Sequence, residues 1–272
     1  MLEYLKAILF GMIEGITEWL PVSSTGHLIL LEEFLHLDVT AEFYELFQVV
    51  IQLGAILAVL VLFFHKLWPF SPKKSEIEKK NTWTLWLKVL LAVLPSAVLG
   101  LLFDDFLDAH LYNHIVVALM LIVYGVAFLL VERRSQAAKI RDVQDIDYRT
   151  ALLIGAFQCL SLIPGTSRSG ATILGALLLG VGRSAGAEFS FFLAIPTMLG
   201  ASGLKLAKYL LEGNLPTGQE LTILAIGCLT AFAVSWLVIR GLMDFVRKHS
   251  FAPFGIYRIV LGGAVLAWFL LR

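Results

Sequence analysis

Glu14 and Glu18 stand four residues apart in an otherwise apolar run, so a helix places both carboxylates on one face. A pair this close binds a hard cation through oxygen, or divides acid and base roles. Ser23, Ser24, Thr25, Gly26 and His27 follow directly after Pro21. A helix beginning near Ser23 brings the Ser24 hydroxyl and the His27 imidazole, three residues on, close together, which is the usual arrangement for activating a weak nucleophile. The same helix start offers free backbone N–H groups and a positive dipole end to phosphate oxygens. Far along the chain, Arg168 sits between Ser167 and Ser169 in Pro164-Gly-Thr-Ser-Arg-Ser-Gly170, and a guanidinium grips phosphate through a two-pronged fork.

These groups must be held by elements that cross a bilayer. Hydrophobic residues make up 58% of the chain and charged residues 15%, well short of the roughly 25% charged residues of soluble domains, and mean hydropathy is +0.83. Six stretches are long enough to span, at 46–64, 84–103, 114–131, 185–204, 221–239 and 251–271, since a span takes about 20 apolar residues. Four more, at 4–19, 28–37, 148–163 and 170–182, are too short or too broken. Each adjoins the Pro21–Gly26 or the Pro164–Gly170 cluster. They predict two re-entrant helix hairpins, because irregular backbone at membrane depth survives only when buried in protein or lining a wet cavity.

The chain also repeats. Gly11-Met-Ile-Glu14 resembles Gly155-Ala-Phe-Gln158, and the same offset lays Ser23-Ser24-Thr25-Gly26 over Ser167-Arg168-Ser169-Gly170. Three spans follow each cluster, and three is odd, so the second half enters with opposite orientation. The predicted fold is an all-α integral membrane protein, one domain over 1–272, with six transmembrane helices, two re-entrant hairpins and an inverted-topology repeat. Repeat 1 covers 1–134, a cytoplasmic linker 135–147, and repeat 2 148–272. Such repeats place a site at their interface near mid-membrane, facing Arg168 toward Ser24 and His27. Lys66, Lys73, Lys74, Lys79 and Lys80, then Arg133, Arg134, Lys139, Arg141 and Arg149, then Arg240, Arg247 and Lys248 fall on one side, expected to be cytoplasmic, while the 104–113 and 211–219 connections carry no Lys or Arg. The first hairpin then opens outside, the second inside, and both termini lie outside.

Several classes are excluded. Formal net charge is zero, and no zinc-finger, RNA-binding or Walker pattern appears, so no nucleic-acid partner is expected. Cys159 and Cys228 read as small core hydrophobes, and the six histidines show no zinc spacing. The N-terminus lacks a basic region and reads as mature structure rather than a signal peptide. Gln48 and Gln52 share a face of a charge-free span and read as interhelical hydrogen-bonding groups. Glu45 and Gln158 are secondary candidates. Glu188 is expected to pair with an arginine, with Arg258 the candidate.

Glu14-Gly-Ile-Thr-Glu18, Pro21-Val-Ser-Ser-Thr-Gly-His27, Pro164-Gly-Thr-Ser-Arg-Ser-Gly170, the Gln48/Gln52 segment and Ile-Tyr-Arg258 together resemble the undecaprenyl-diphosphate phosphatase family, also called the bacitracin-resistance protein family. The resemblance covers essentially the whole chain. It implies a multi-pass enzyme of the bacterial inner membrane, its active site facing the periplasm. Such an enzyme hydrolyses undecaprenyl diphosphate to the monophosphate plus inorganic phosphate, recycles the lipid carrier for peptidoglycan and confers bacitracin resistance. It also implies a divalent cation, Mg²⁺ or Ca²⁺, and one site uniting the acidic, Ser/His and arginine motifs. The expected catalytic residues are Ser24, His27, Glu18, Glu14 and Arg168, with Glu14 and Glu18 toward the cation. Ser23, Thr25, Gly26, Ser167, Ser169, Gly170 and Gln52 are expected to bind substrate. Ser24 as nucleophile with His27 as base, His27 as nucleophile, and attack by water all stay open. The competing reading is a polyprenyl-phosphate flippase. The bilayer and the lipid substrate are the expected partners, and a homodimer is an allowed assembly.

Overall fold

A computed structural model describes residues 1–271 except Tyr112, Ser135 and Gln136, and describes Asp104, Asp105, Phe106, Asp108 and Ala109 by backbone alone. Part of the 104–113 connection and the first two linker residues therefore lie outside the described residues. The helices are α1 (Leu2–Thr17), α2 (Ser24–Phe34), α3 (Ala41–Leu62), α4 (Phe64–Leu67), α5 (Glu76–Leu111), α6 (His114–Arg133), α7 (Tyr148–Gln158), α8 (Arg168–Leu178), α9 (Arg183–Leu211), α10 (Gly218–Val246) and α11 (Ala252–Leu270). Short 3-10 turns lie at Val143–Asp145 and Cys159–Leu162. Among the described residues the only β pairing is one isolated bridge, Ile140 to Val181.

Six of these helices, α3, α5, α6, α9, α10 and α11, are long and apolar enough to cross a membrane, and each contains or overlaps one of the six predicted spans. Their starts follow local chemistry. Thr40, Asn113 and Thr217 each accept a hydrogen bond from a backbone N–H in the first turn, and Thr217 with Glu220 closes a full capping box. Asp147 caps α7 in the same way, and the Thr150 backbone N–H on its carboxylate holds that carboxyl below its usual range. Outward faces are apolar: Leu87, Leu90, Leu94 and Val98 of α5 recur at helical spacing and are exposed, as a lipid-facing stripe requires. Lys88, the one charge inside the predicted α5 span, reaches out of it to the Gln144 carbonyl at 2.8 Å.

Packing between helices depends on small residues. α1 lies against α10, α7 against α5, α3 against α9 and α10, and α6 against α11. At Gly11, a Cβ would stand 2.5 Å from the Gly227 carbonyl oxygen; at Gly155 it would overlap that of Ala92; at Gly125 and Gly255 it would stand 2.7 and 2.8 Å from the other's carbonyl oxygen. Without a hydrophobic drive between helices in lipid, such close approach supplies the dispersion contact that holds them. At the linker end of the bundle, Glu132 closing α6 binds Arg183 at the start of α9 and accepts from the Phe251 N–H before α11. Three helix ends are thereby tied at one carboxylate.

Gly155→Ala is expected to destabilise the protein by about 1–3 kcal/mol through overpacking, read as a lower thermal-unfolding midpoint in detergent. Gly200→Ala on α9, where a Cβ meets nothing within 4 Å, is the control and should not lower it. Equal midpoints for the two variants would refute the close contact between α7 and α5.

Candidate active site

The site grows from two broken helices. α1 ends at Thr17 and α2 begins at Ser24; α7 and its 3-10 extension end at Leu162 and α8 begins at Arg168. At each restart the N-cap is a serine with φ near +73°, Ser23 and Ser167, the only non-glycine residues with positive φ among those described. A side-chain-bearing residue held there stores strain of about 1–3 kcal/mol. Each serine hydroxyl accepts from the backbone N–H of a glycine three residues on, Gly26 at 3.4 Å and Gly170 at 3.1 Å.

The breaks leave backbone carbonyls that no helix satisfies, and Arg258 collects them. Its fully buried guanidinium donates to the Pro21 carbonyl of the first break at 3.0 Å. It donates to Gly165 and Thr166 of the second at 2.9 and 3.0 Å, and to Met120 and Leu121 of α6 at 3.3 and 3.4 Å. This corrects the expected Glu188–Arg258 pairing. Among the described residues Arg258 pairs with no carboxylate, and Glu188 instead binds Lys66 at 2.7 Å. Ser169 ties the breaks again, its hydroxyl lying 3.0 and 3.1 Å from the carbonyls of Glu18 and Leu20.

At the junction lies the buried Glu18 carboxylate. Glu18 accepts from the Ser24 hydroxyl at 2.6 Å on one oxygen and from Arg168 Nη2 at 2.9 Å on the other. Arg168 is further held by the Ser190 carbonyl at 2.7 Å and stands over the Trp19 ring, 5.6 Å from its centre. Its Nε is buried and, among the described residues, has no partner, as is the Thr166 hydroxyl. Glu14 is fully buried beside Glu18, and among the described residues no donor reaches either of its carboxylate oxygens apart from that neighbouring carboxyl. Buried polar groups are nearly always hydrogen-bonded. Glu14 and the Arg168 Nε thus bring unmet polar groups to the Glu18–Arg168 ion pair.

Glu18, Ser24 and Arg168 are thus brought into direct contact, with Glu14 beside them. The expected Ser24–His27 hydrogen bond is not formed. His27 Nδ1 lies 2.7 Å from the Ser23 carbonyl and Nε2 lies 2.7 Å from the Tyr257 hydroxyl. Helical spacing places residues i and i+3 on one face without deciding which way each side chain turns, and here the first-turn carbonyl and Tyr257 claim the ring. Thr25 is half-buried beside the cap, and Ser167 bonds Ser169 at 3.1 Å. Gln52 is half-buried on α3, and among the described residues no hydrogen bond joins it to this cluster. Gln48 bonds Tyr44 four residues before it, a contact within one helix rather than between two, and Glu45 pairs with Lys205 at the surface. Ser190 and Tyr257 were not singled out in the sequence. Ser190 is one hydroxyl in an apolar run, and Tyr257 is marked only by its neighbour Arg258. Two cavities of about 540 and 450 Å³ lie elsewhere, at the α6–α9 junction and in the loop before α5, and no residue of the cluster lines them.

Among the described residues no group of three or more His, Cys, Asp or Glu side chains is placed to hold a metal ion. The two unpartnered Glu14 oxygens, with Glu18 beside them, nonetheless fit a cation that takes one or two carboxylates and completes its shell with water and phosphate oxygens, as Mg²⁺ does.

A family model described as Bacitracin resistance protein BacA matches residues 7–264. An undecaprenyl-diphosphatase of Enterococcus faecalis is 57% identical over 267 residues, covering 97% of this chain and 97% of its own. One from Streptococcus thermophilus is 56% identical over 268 residues, covering 98% and 93%, and one from Limosilactobacillus fermentum is 55% identical over 273 residues, covering 100% and 99%.

Arg258→Lys keeps the charge but loses the fork that reaches both breaks. It is expected to cost about 3–5 kcal/mol, the scale of opening a buried charged network, measured by thermal unfolding. A variant as stable as the parent would mean that the break carbonyls do not depend on this side chain.

Proposed function

The chain belongs to the bacitracin resistance protein family, and on that premise we infer that it hydrolyses undecaprenyl diphosphate to undecaprenyl phosphate and inorganic phosphate. It is a multi-pass membrane enzyme, and this activity recycles the lipid carrier for cell-wall synthesis and underlies bacitracin resistance. The observation that carries the assignment to this site is the Glu18 carboxylate, which receives Ser24 from one broken helix and Arg168 from the other.

The proposed placement is a site between two inverted repeats. Matching serines with φ +73°, matching glycines packed on a partner helix of the other half, and the crossed packing of α1 on α10 and α7 on α5 support it. α1, of 16 residues, and α2, α7 and α8, of 11 each, are shorter than the roughly 20 that a span takes, in keeping with re-entrant hairpins. With the basic loops in the cytoplasm of a bacterial inner membrane, the site opens to the periplasm.

In the proposed reaction, Ser24 Oγ attacks the terminal phosphorus while its proton passes to Glu18 Oε2, already 2.6 Å away. The new bond is Oγ–P. The anhydride P–O bond breaks, and its electron pair leaves with undecaprenyl phosphate. Water then attacks the phosphoserine. Protonated Glu18 returns its proton to Ser24 Oγ, and phosphate departs with both water protons. Arg168, held by Glu18 and Ser190, presents its free Nε–H to a phosphate oxygen, and the N–H groups opening α2 and α8 face the same charge. Glu14 and Glu18 are the residues that would hold Mg²⁺ or Ca²⁺, which when bound neutralises phosphate charge. In this scheme Glu18, rather than His27, takes the serine proton. The flippase alternative is disfavoured, since the relatives are named as diphosphatases and transport needs no hydroxyl on a carboxylate.

The deciding experiment is phosphate release from undecaprenyl diphosphate by purified protein in detergent, with and without chelator. Release that stops with chelator and returns with Mg²⁺ or Ca²⁺ is expected; no release under any condition would sink the hydrolase reading, and release indifferent to chelator the cation. Among variants, Glu18→Ala and Arg168→Ala are expected to lower turnover by about 10³-fold or more. Glu14→Gln should lose activity yet unfold at a slightly higher temperature, because it removes a buried, unpartnered carboxylate. Full turnover in Ser24→Ala would eliminate the phosphoserine route.

A further inference from the structure

His27 is the titratable residue of the Pro21–His27 motif that the cluster around Glu18 leaves aside, and its surroundings fix its chemistry. A carbonyl oxygen only accepts, so the 2.7 Å contact with Ser23 requires the proton on Nδ1. Nε2 is then bare and accepts from the Tyr257 hydroxyl, 2.7 Å away. The two rings lie parallel, 3° apart with centres separated by 5.6 Å, so Tyr257 holds the imidazole plane while the Ser23 carbonyl sets the tautomer. A neutral ring protonated on Nδ1 satisfies both partners and adds no second positive charge near the buried Arg258 guanidinium.

The second hairpin supplies an internal comparison. There Ala171 occupies the position matching His27, and its backbone N–H bonds the Ser167 carbonyl at an ordinary 2.9 Å. In the first hairpin the corresponding bond, His27 N–H to the Ser23 carbonyl, is stretched to 3.4 Å, and the cap bond to Gly26 lengthens likewise. The imidazole takes over the Ser23 carbonyl that the loosened turn no longer grips. Ser23 is the residue immediately before Ser24, and its strained backbone sets where Ser24 Oγ points.

We propose that Tyr257 is a positioning residue that holds the His27 ring with its Nδ1–H on the Ser23 carbonyl, so that His27 braces that carbonyl and the first turn of α2 instead of accepting the Ser24 proton. The proposal rests on reading the Glu18–Ser24–Arg168 cluster as the reaction centre. Tyr257 is 45% exposed, so its hydroxyl holds the ring from the rim of the bundle while Arg258, the next residue, holds both breaks from within.

The test uses the full chain in detergent micelles with ¹⁵N-labelled histidine, the His27 signals being identified by their loss in His27→Gln. The parent should show His27 protonated on Nδ1 and bare on Nε2. Tyr257→Phe should populate both tautomers and lower kcat by about tenfold, the scale of one lost hydrogen bond, with KM changed less than twofold. His27→Asn, whose amide can still donate to the Ser23 carbonyl, should retain about tenfold more activity than His27→Gln. A parent spectrum with the proton on Nε2, or a Tyr257→Phe spectrum and kcat equal to the parent's, overturns the proposal, as does equal loss in the two His27 variants. The tautomer measurement does not depend on phosphate release, so failure of the hydrolase reading is distinguishable from failure of this one.

Discussion

A guanidinium buried among backbone carbonyls is the constraint on which this architecture rests. Interrupting a helix inside an apolar bundle strips carbonyls of their partners, and each unmet group costs free energy comparable to a lost hydrogen bond or more. Two interruptions occur here, and Arg258 of α11 serves both while also binding α6. Only a planar fork with several donors reaches that many acceptors from one position. Its charge is spread over carbonyl dipoles rather than cancelled by an acid. The carboxylates nearby are therefore left for Arg168 and for chemistry.

The two halves of the chain show what that freedom means. Glu14 and Gln158 occupy matching positions, one turn before their breaks, and both are fully buried. Gln158 donates to Ser96 and Thr197, each directly after the proline inside α5 or α9, and so joins two spans. Apart from the neighbouring Glu18 carboxyl, Glu14 has no hydrogen-bond partner among the described residues. The same backbone slot is a structural tie in one half and an unmet charge in the other. The asymmetry agrees with the proposed placement of a charged ligand beside Glu14 rather than beside Gln158.

Much of the frame was legible in the sequence because bilayer crossing is a property of contiguous residues. Spans such as 114–131 and 185–204 announce themselves by length and apolarity, and α6 and α9 extend them by only a few residues to caps and ion pairs. The breaks were marked by Pro21 and by Pro164-Gly165, and the serines that restart each helix by their capping chemistry. What could not be read were partnerships across the chain. Arg258 with five carbonyls, Glu188 with Lys66, and His27 with Tyr257 join residues tens to hundreds of positions apart. Backbone carbonyls carry no sequence signal as acceptors. An arginine therefore looks for an acid on paper and finds a broken helix in space.

The same limit explains why Ser24 pairs with Glu18 rather than His27. Three-residue spacing suggests a Ser–His contact only if α2 begins as an ordinary helix, and it does not. Ser23 enters with positive φ, the first turn is loose, and the imidazole folds back onto the cap carbonyl. The serine hydroxyl is left pointing across the break, where α1 ends and Glu18 lies. The acceptor that matters is thus set by how the chain leaves one helix and enters the next. It is also why, in the proposed reaction, the serine proton goes to a carboxylate six residues upstream that an arginine from the other half already anchors.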